Sequence, residues 1–317
     1  MKKMDGWYDK FLETLNVRFP KKSQLVEKLM ELLNIERGAA YRRLSKKIPF
    51  TFFEIVRIAF EWNISLDHVF DIQSEKIPFL MIPVDFIDPP EDLTRVYQVI
   101  NLLKEVTDIE AMEVNNVLSR KLYAGFPHLL QFFLFKCKYE YGMDKKACSF
   151  SEVIFSERSR SLISEYYQAV KNTYKTYFIL DRCLFDYLIS DIRYFHSIQM
   201  VTDEEKELIK QDLYQLLDYL WDVANNGCYP ETGNQVNLYI SHLHVNTNYS
   251  YAFTEQVKAC FVHVFEKFEI YTYNPKMVLL FKEWMQLKKR TSYQISEVDE
   301  KCRIAYFSRQ RQLLDAL

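Results

Sequence analysis

The chain has 317 residues, of which 49% are hydrophobic and 26% charged, with a net charge of −2. Such a composition excludes a disordered chain, a collagen-like repeat and a disulfide scaffold, and at roughly 150 residues per domain the length suggests two domains. Aromatics reach 16% while Gly is 6 and Pro 9, a balance that argues for long packed helices rather than a many-turned β protein.

The N-terminus carries Asp5, Asp9 and Lys10 where a secretory leader needs an unbroken apolar core. The most apolar run, 126–135, is too short to span a bilayer. The six cysteines are scattered, with no CxxC pair, so reduced thiols and a cytoplasmic location without membrane contact are expected. The first 72 residues hold 13 Lys/Arg against 10 Asp/Glu, a balance of +3. Arg37, Arg42, Arg43, Lys46 and Lys47 fall within eleven residues, beside the single acid Glu36.

In chain order, Ser23 can cap a first helix whose apolar face is Leu25, Val26, Leu29, Met30, Leu32 and Leu33. Asn34 tolerates the left-handed conformation and can end it in a tight turn. A short helix over 37–46 then turns Ala40, Tyr41 and Leu44 inward and Ala39, Arg42, Arg43 and Lys46 to solvent. Thr51 and Glu54 form a capping box for a helix that buries some combination of Phe53, Val56, Ile58 and Phe60. Ser65 caps a last helix with Leu66, Val69 and Phe70. The segment 75–92 holds four of the nine prolines and should be extended and connecting, its apolar residues lying against a domain.

Three- and four-residue spacing predicts helices over 93–106, 109–122 and 126–141, the last ending at Gly142. The stretch 160–198, free of Gly and Pro, reads as two core helices. Thr202 and Glu205 cap the clearest helix, 202–224. Alternation at 236–244 and 257–265, with 249–253 and 268–273 between and after, predicts a small antiparallel meander of three or four strands, followed by helices over 276–289 and 299–314. The expected architecture is therefore mainly α. A five-helix N-terminal domain (1–74) leads through a Pro-rich linker (75–92) to a mostly helical domain (93–317) with a small meander at about 236–273.

Residues 5–71 resemble the Cro/cI-type (XRE-like) helix-turn-helix family of bacterial transcription regulators, in its larger two-domain subgroup. LLNIERGAAYRRL looks like the end of the positioning helix, the turn and the recognition helix. FEIVRIAFEWNISLDHVF looks like the last two helices, ending in Ile64, Ser65, Leu66 and Asp67. Met30 stands where a small residue is usual, with Ala40 opposite, and the turn reads one residue longer, making Tyr41 and Leu44 the inward pair. The resemblance implies a transcription regulator that reads double-stranded DNA as a dimer, with the helix around Arg37–Lys46 in the major groove. Arg37, Ala39, Arg42 and Arg43 are then placed for base or adjacent phosphate contact, and Lys46 and Lys47 for phosphates. The 93–317 domain would dimerise and could sense a small molecule or peptide that the sequence neither names nor requires.

No P-loop, GxGxxG, GxSxG or HExxH occurs, so neither an enzyme nor a cofactor is expected. His242, His244 and His263 are the one candidate metal cluster, against which stands their reading as the polar face of a sheet. The Tyr and Phe between 139 and 187 read as core before pocket, and the C-terminal basic residues as a solvated face. The rival to DNA binding is a protein-interaction module built on the same helical head.

Overall fold

The computed structural model describes residues 2–62, 64–66, 69, 77–83, 94–141, 149–254, 258–264 and 268–317. The chain divides into two compact units, Met1–Pro78 and Phe79–Leu317.

The first unit is helical: α1 (Lys2–Arg18), α2 (Lys22–Leu33), α3 (Arg37–Leu44) and α4 (Phe52–Glu61). A further helical turn contains Leu66 and Val69, with Val69 N–H donating to the Ser65 carbonyl. Phe70 and Asp67, both part of the sequence argument, lie outside the described residues. The core gathers Phe11 and Leu15 from α1, Leu25, Val26 and Leu29 from α2, Ala40 from α3, and Ile58 and Ala59 from α4. Ser23 caps nothing, because α2 starts a residue earlier, with Lys21 at the cap position and no side-chain cap bond.

The second unit is an α/β fold, which overturns the expectation of a mainly helical body with a small meander. Its centre is one eight-stranded mixed sheet of order β1-β7-β6-β5-β2-β3-β4-β8. The strands are β1 (Leu80–Pro83), β2 (Glu110–Asn115), β3 (Lys175–Asp181), β4 (Gln235–Ser241), β5 (Tyr249–Phe253), β6 (Lys258–Val264), β7 (Phe268–Thr272) and β8 (Ser292–Gln294). Strands β2, β3 and β4 run parallel and the remaining pairings are antiparallel. The helices are α5 (Thr94–Glu105), α6 (Arg120–Tyr123), α7 (Pro127–Tyr141), α8 (Glu157–Val170), α9 (Leu184–Ser197), α10 (Asp203–Asn226), α11 (Pro275–Arg290) and α12 (Glu300–Asp315).

The helix expected over 109–122 is instead strand β2 followed by the start of the short helix α6, and β3 lies inside the stretch 160–198 read as two helices. β3 is a central parallel strand buried on both faces, so residues 177–180 run on apolar without the alternation that marks a half-exposed strand, whereas β2, parallel to β3 and antiparallel to β5, alternates Met112 and Val114 with the buried polar Glu113 and Asn115. β4 is not part of the meander, which consists of β5, β6 and β7 alone, but pairs in parallel with β3 from Lys175↔Gln235 to Asp181↔Ser241. Leu80–Pro83, from the expected linker, is an edge strand against β7.

Side chains alternate between two covered faces. Phe178, Leu180, Leu238 and Ile240 pack beneath α7, α8, α9, α10 and α12, with Phe132, Leu162, Ile192, Leu216 and Phe307 among the partners. Ile179, Tyr239, Met112 and Val114 face the other way, onto Val278, Phe281 and Met285 of α11. Capping is as local chemistry dictates. Thr202 and Glu205 form the expected box at the start of α10, and Gly227 ends that helix at φ 66°. The Asp212 carboxylate accepts from His128 N–H (2.6 Å) and Leu129 N–H (3.0 Å) at the start of α7.

Residues 242–248 carry the chain from β4 to β5, past the ends of β3 and β2, a distance of three strand spacings or roughly 14 Å. Two side chains fix this crossing. Asp181, fully buried at the end of β3, accepts from Val245 N–H (2.8 Å), His244 Nδ1 (3.0 Å) and Cys183 N–H (2.8 Å). Asn248 Oδ1 accepts from Asn116 and Val117 N–H beyond β2, at 2.9 and 3.0 Å. In open α/β sheets the carboxyl ends of parallel strands are the usual ligand crevice; here the chain itself closes that edge.

Candidate nucleic-acid interface

The site begins at the end of α2. Asn34 takes φ 52°, ψ 51° and its N–H returns to the Met30 carbonyl, so the left-handed turn expected from sequence is present. After Ile35 and Glu36, α3 starts at Arg37. The inward residue of α3 is Ala40, wholly buried, with Leu44 packed at the margin of the core. Tyr41, expected inward, is 38% exposed and carries the Lys22 ammonium over its ring. Ala40 shares one core cluster with Leu25, Val26 and Leu29 of α2, and Met30 packs at its margin.

The basic residues separate into two groups. Arg37, Arg42 and Lys47 are exposed and make no side-chain hydrogen bond or ion pair with the described residues. Ala39 sits on the same helix, half-buried. Arg43 and Lys46 are engaged. Arg43 grips Glu54 through Nη2 (2.7 Å) and Nε (3.0 Å to both carboxylate oxygens), the two side chains being 14% and 16% exposed. Lys46 pairs with Asp9 of α1 from a left-handed backbone at φ 62°. The solvent-facing placement expected for Arg43 therefore does not hold: its guanidinium ties α3 to α4.

Glu54 does this while completing a capping box with Thr51, whose N–H it accepts at 2.8 Å. Partial burial would raise the carboxyl, but the Arg43 hydrogen bonds and the Thr51 N–H outweigh it and hold Glu54 below its ordinary value. Tyr8 completes the joint, its hydroxyl donating to the Arg43 carbonyl (3.2 Å) and accepting from Phe50 N–H (3.0 Å). Burial, opposed by the Phe50 bond, pushes that phenol up.

Sequence reasoning missed the outer face of α4. Phe53 and Phe60, expected among the buried residues, are 83% and 87% exposed, and Phe52 is 72% exposed. With Val56 they fall within about 100° of the helix circumference, while Ile55, Ile58 and Ala59 face the core. Apolar residues on both sides of one short helix were the available signal, since a helix apolar all round requires a second partner.

The histidines do not form a metal site. His242 and His244 lie beyond the end of β4, His242 tilted against Tyr293 and His244 bonded to Asp181. His263 is on β6, four strand spacings or roughly 19 Å from β4. No group of three or more His, Cys, Asp or Glu side chains among the described residues can hold a metal ion. The C-terminal basic residues are largely committed: Arg303 is buried against Ile295 and Asn225, Arg309 pairs with Asp186 and Arg311 with Asp218. No helix among the described residues is long and apolar enough to cross a membrane. Compared with protein-family models, with curated proteins and with solved structures, the chain finds no match.

Proposed function

We propose that the protein is a cytoplasmic, sequence-specific regulator of transcription that binds double-stranded DNA through α3. The observation that carries the reading is the joint of α2, a left-handed Asn34 and α3, with the Arg37, Arg42 and Lys47 side chains exposed and uncommitted beside it. Arg can bond a guanine edge bidentately in the major groove, and a lysine near a helix end suits phosphates.

Selection from a random duplex library with full-length protein at near-physiological salt tests this directly, and an enriched motif is the expected result. Arg42→Ala should weaken binding to that motif by about 1–3 kcal/mol and relax one position of it. Lys47→Ala should weaken all sequences alike and reduce the salt slope by about 0.9. Equal loss on every sequence with Arg42→Ala would remove the base-reading role.

The exposed face of α4 favours a second reading, a head that docks protein. The two readings join if the partner is a second copy. Three phenylalanines at these exposures offer about 500 Å² per head, hence roughly 1,000 Å² across a symmetric pair, the lower limit for a specific interface. Phe53→Glu together with Phe60→Glu should convert a dimer to monomer in sedimentation without lowering the helical signal. A dimer that survives both changes places the contact elsewhere.

A further inference from the structure

Arg303, Arg309 and Arg311 of α12 are engaged, but the bases of α11 are not. The second unit as a whole is acidic, with 32 Asp/Glu against 27 Lys/Arg. In its other helices Lys104, Lys136, Lys171 and Lys206 are each joined to a carboxylate. Helix α11 carries Lys276, Lys282, Lys288, Lys289 and Arg290 against the single acid Glu283, and none of these five bases forms an ion pair with a described residue.

Lys282 and Lys289, two turns apart, lie on one side of α11, and that side meets the sheet where the sheet is also basic. One register row runs Lys258, Phe253, Glu110, Lys175 across β6, β5, β2 and β3. The ammoniums of Lys258 and Lys282 stand 4.7 and 4.6 Å from the centre of the Phe253 ring. Those of Lys175 and Lys289 stand 5.2 and 4.5 Å from the centre of the Tyr177 ring. Each ring is therefore shared by one lysine of the sheet and one of the helix. Phe253 and Tyr177 are two strand spacings and two residues apart, roughly 12 Å. Lys258 is exposed, the other three lysines are half-buried, and none of the four forms an ion pair with a described residue. Glu110, the one acid in the row, accepts from the Tyr251 hydroxyl at 3.4 Å.

We infer that this ledge docks the phosphate backbone of duplex DNA. A ring face attracts a cation without neutralising it, so each ring holds two like charges together. They repel one another, and an anion placed between them relieves the repulsion. Two such pairs, one at each ring, suit a row of discrete phosphates, which advance by roughly 3.4 Å per step along a strand. The ledge then spans about three to four steps. A flat bilayer would instead meet the outer crest of α11, where the exposed Leu279, Leu280 and Leu287 surround Glu283, before it reached the lysines at the flank. The choice of duplex rests on the DNA binding proposed for the head, while the ledge itself is a property of the second unit alone.

The test is the salt dependence of binding of the full chain to a duplex of random sequence. Lys282→Gln together with Lys289→Gln should flatten the slope of log affinity against log salt by about 1.8 and weaken binding about tenfold near physiological salt. Arg at both positions should keep the slope of the unaltered chain. Saturating duplex should also protect Lys175, Lys258, Lys282 and Lys289 of the unaltered chain from an amine-reactive label read by mass spectrometry, a measurement that needs no variant. An unchanged slope in the folded double variant, or equal labelling with and without duplex, overturns the inference. So does a double variant that binds duplex normally but no longer binds phosphatidylserine vesicles, which would make the occupant a lipid surface. Arg37→Gln with Arg42→Gln separates this inference from the reading of α3. If only the α3 reading fails, that variant keeps the full slope while the lysine variant loses part of it. Absence of any duplex binding overturns both.

Discussion

Asp181→Ala should destabilise the second unit by about 3–5 kcal/mol in denaturant unfolding, because it strips two N–H donors of their acceptor at a cost of about 1–3 kcal/mol each and frees the crossing segment. The carboxylate is the one group that holds Val245 N–H, His244 and Cys183 N–H at the end of β3. Val245 is itself 1% exposed and packs in the core beneath α11, so a loosened loop also withdraws an apolar side chain. Asp181→Asn should cost less, since an amide oxygen still accepts one of these bonds. A change below about 0.5 kcal/mol, the range of a surface substitution, would show that the crossing is held by something other than this carboxylate.

The second large effect lies in the head. Arg43→Met or Glu54→Gln should each lower its stability by about 2–4 kcal/mol, since either change leaves a mostly buried charge without its partner. Glu54→Gln also weakens the capping box, adding about 1 kcal/mol. The double variant should be more stable than the sum of the single changes implies, which a double-mutant cycle measures.

The pH dependence has a definite sign. Glu54 is held below its ordinary value of 4.5 in the folded head, while burial, the largest single influence, pulls the other way. Its contribution is therefore complete above about pH 4.5 and lost as the pH falls through the lowered folded value. The acid limb of the head's stability curve should flatten in Glu54→Gln. Arg43 also separates position from recognition: where Arg43→Met remains folded, it should select the same DNA motif as the unaltered chain. A changed motif would mean that Arg43 reads bases despite its ion pair.

Much of the head was legible because its signals are local. The Asn34 turn, the Thr51–Glu54 box and the apolar face of α2 are each specified by residues within one or two turns of one another. Arg43 was misjudged for the converse reason. Its partner is eleven residues away on another helix, and no helical period reveals a pair formed across a turn. The Phe stripe of α4 was misjudged because hydrophobic pattern reports which residues avoid water but not which of two apolar faces the core will take.

In the second unit the sequence by itself determined the helices that carry their own caps and amphipathic faces, α10 above all. It also determined that the β5–β7 segments are strands of one antiparallel meander. Only the tertiary structure decided that 110–115 and 175–181 are central strands. Besides each other, their partners are β5 and β4, distant in the chain, and burial on both faces erases the two-residue period in 175–181, while 110–115 is a six-residue strand whose inner polar residues Glu113 and Asn115 fall at spacings a helix also allows. It likewise decided the register of Asp181 with the crossing loop and the pairing of Glu113 with Lys121 of α6. A sequence fixes which groups are present and how they repeat; which of them face one another across a sheet is fixed by strand order, and strand order is a property of the packed whole.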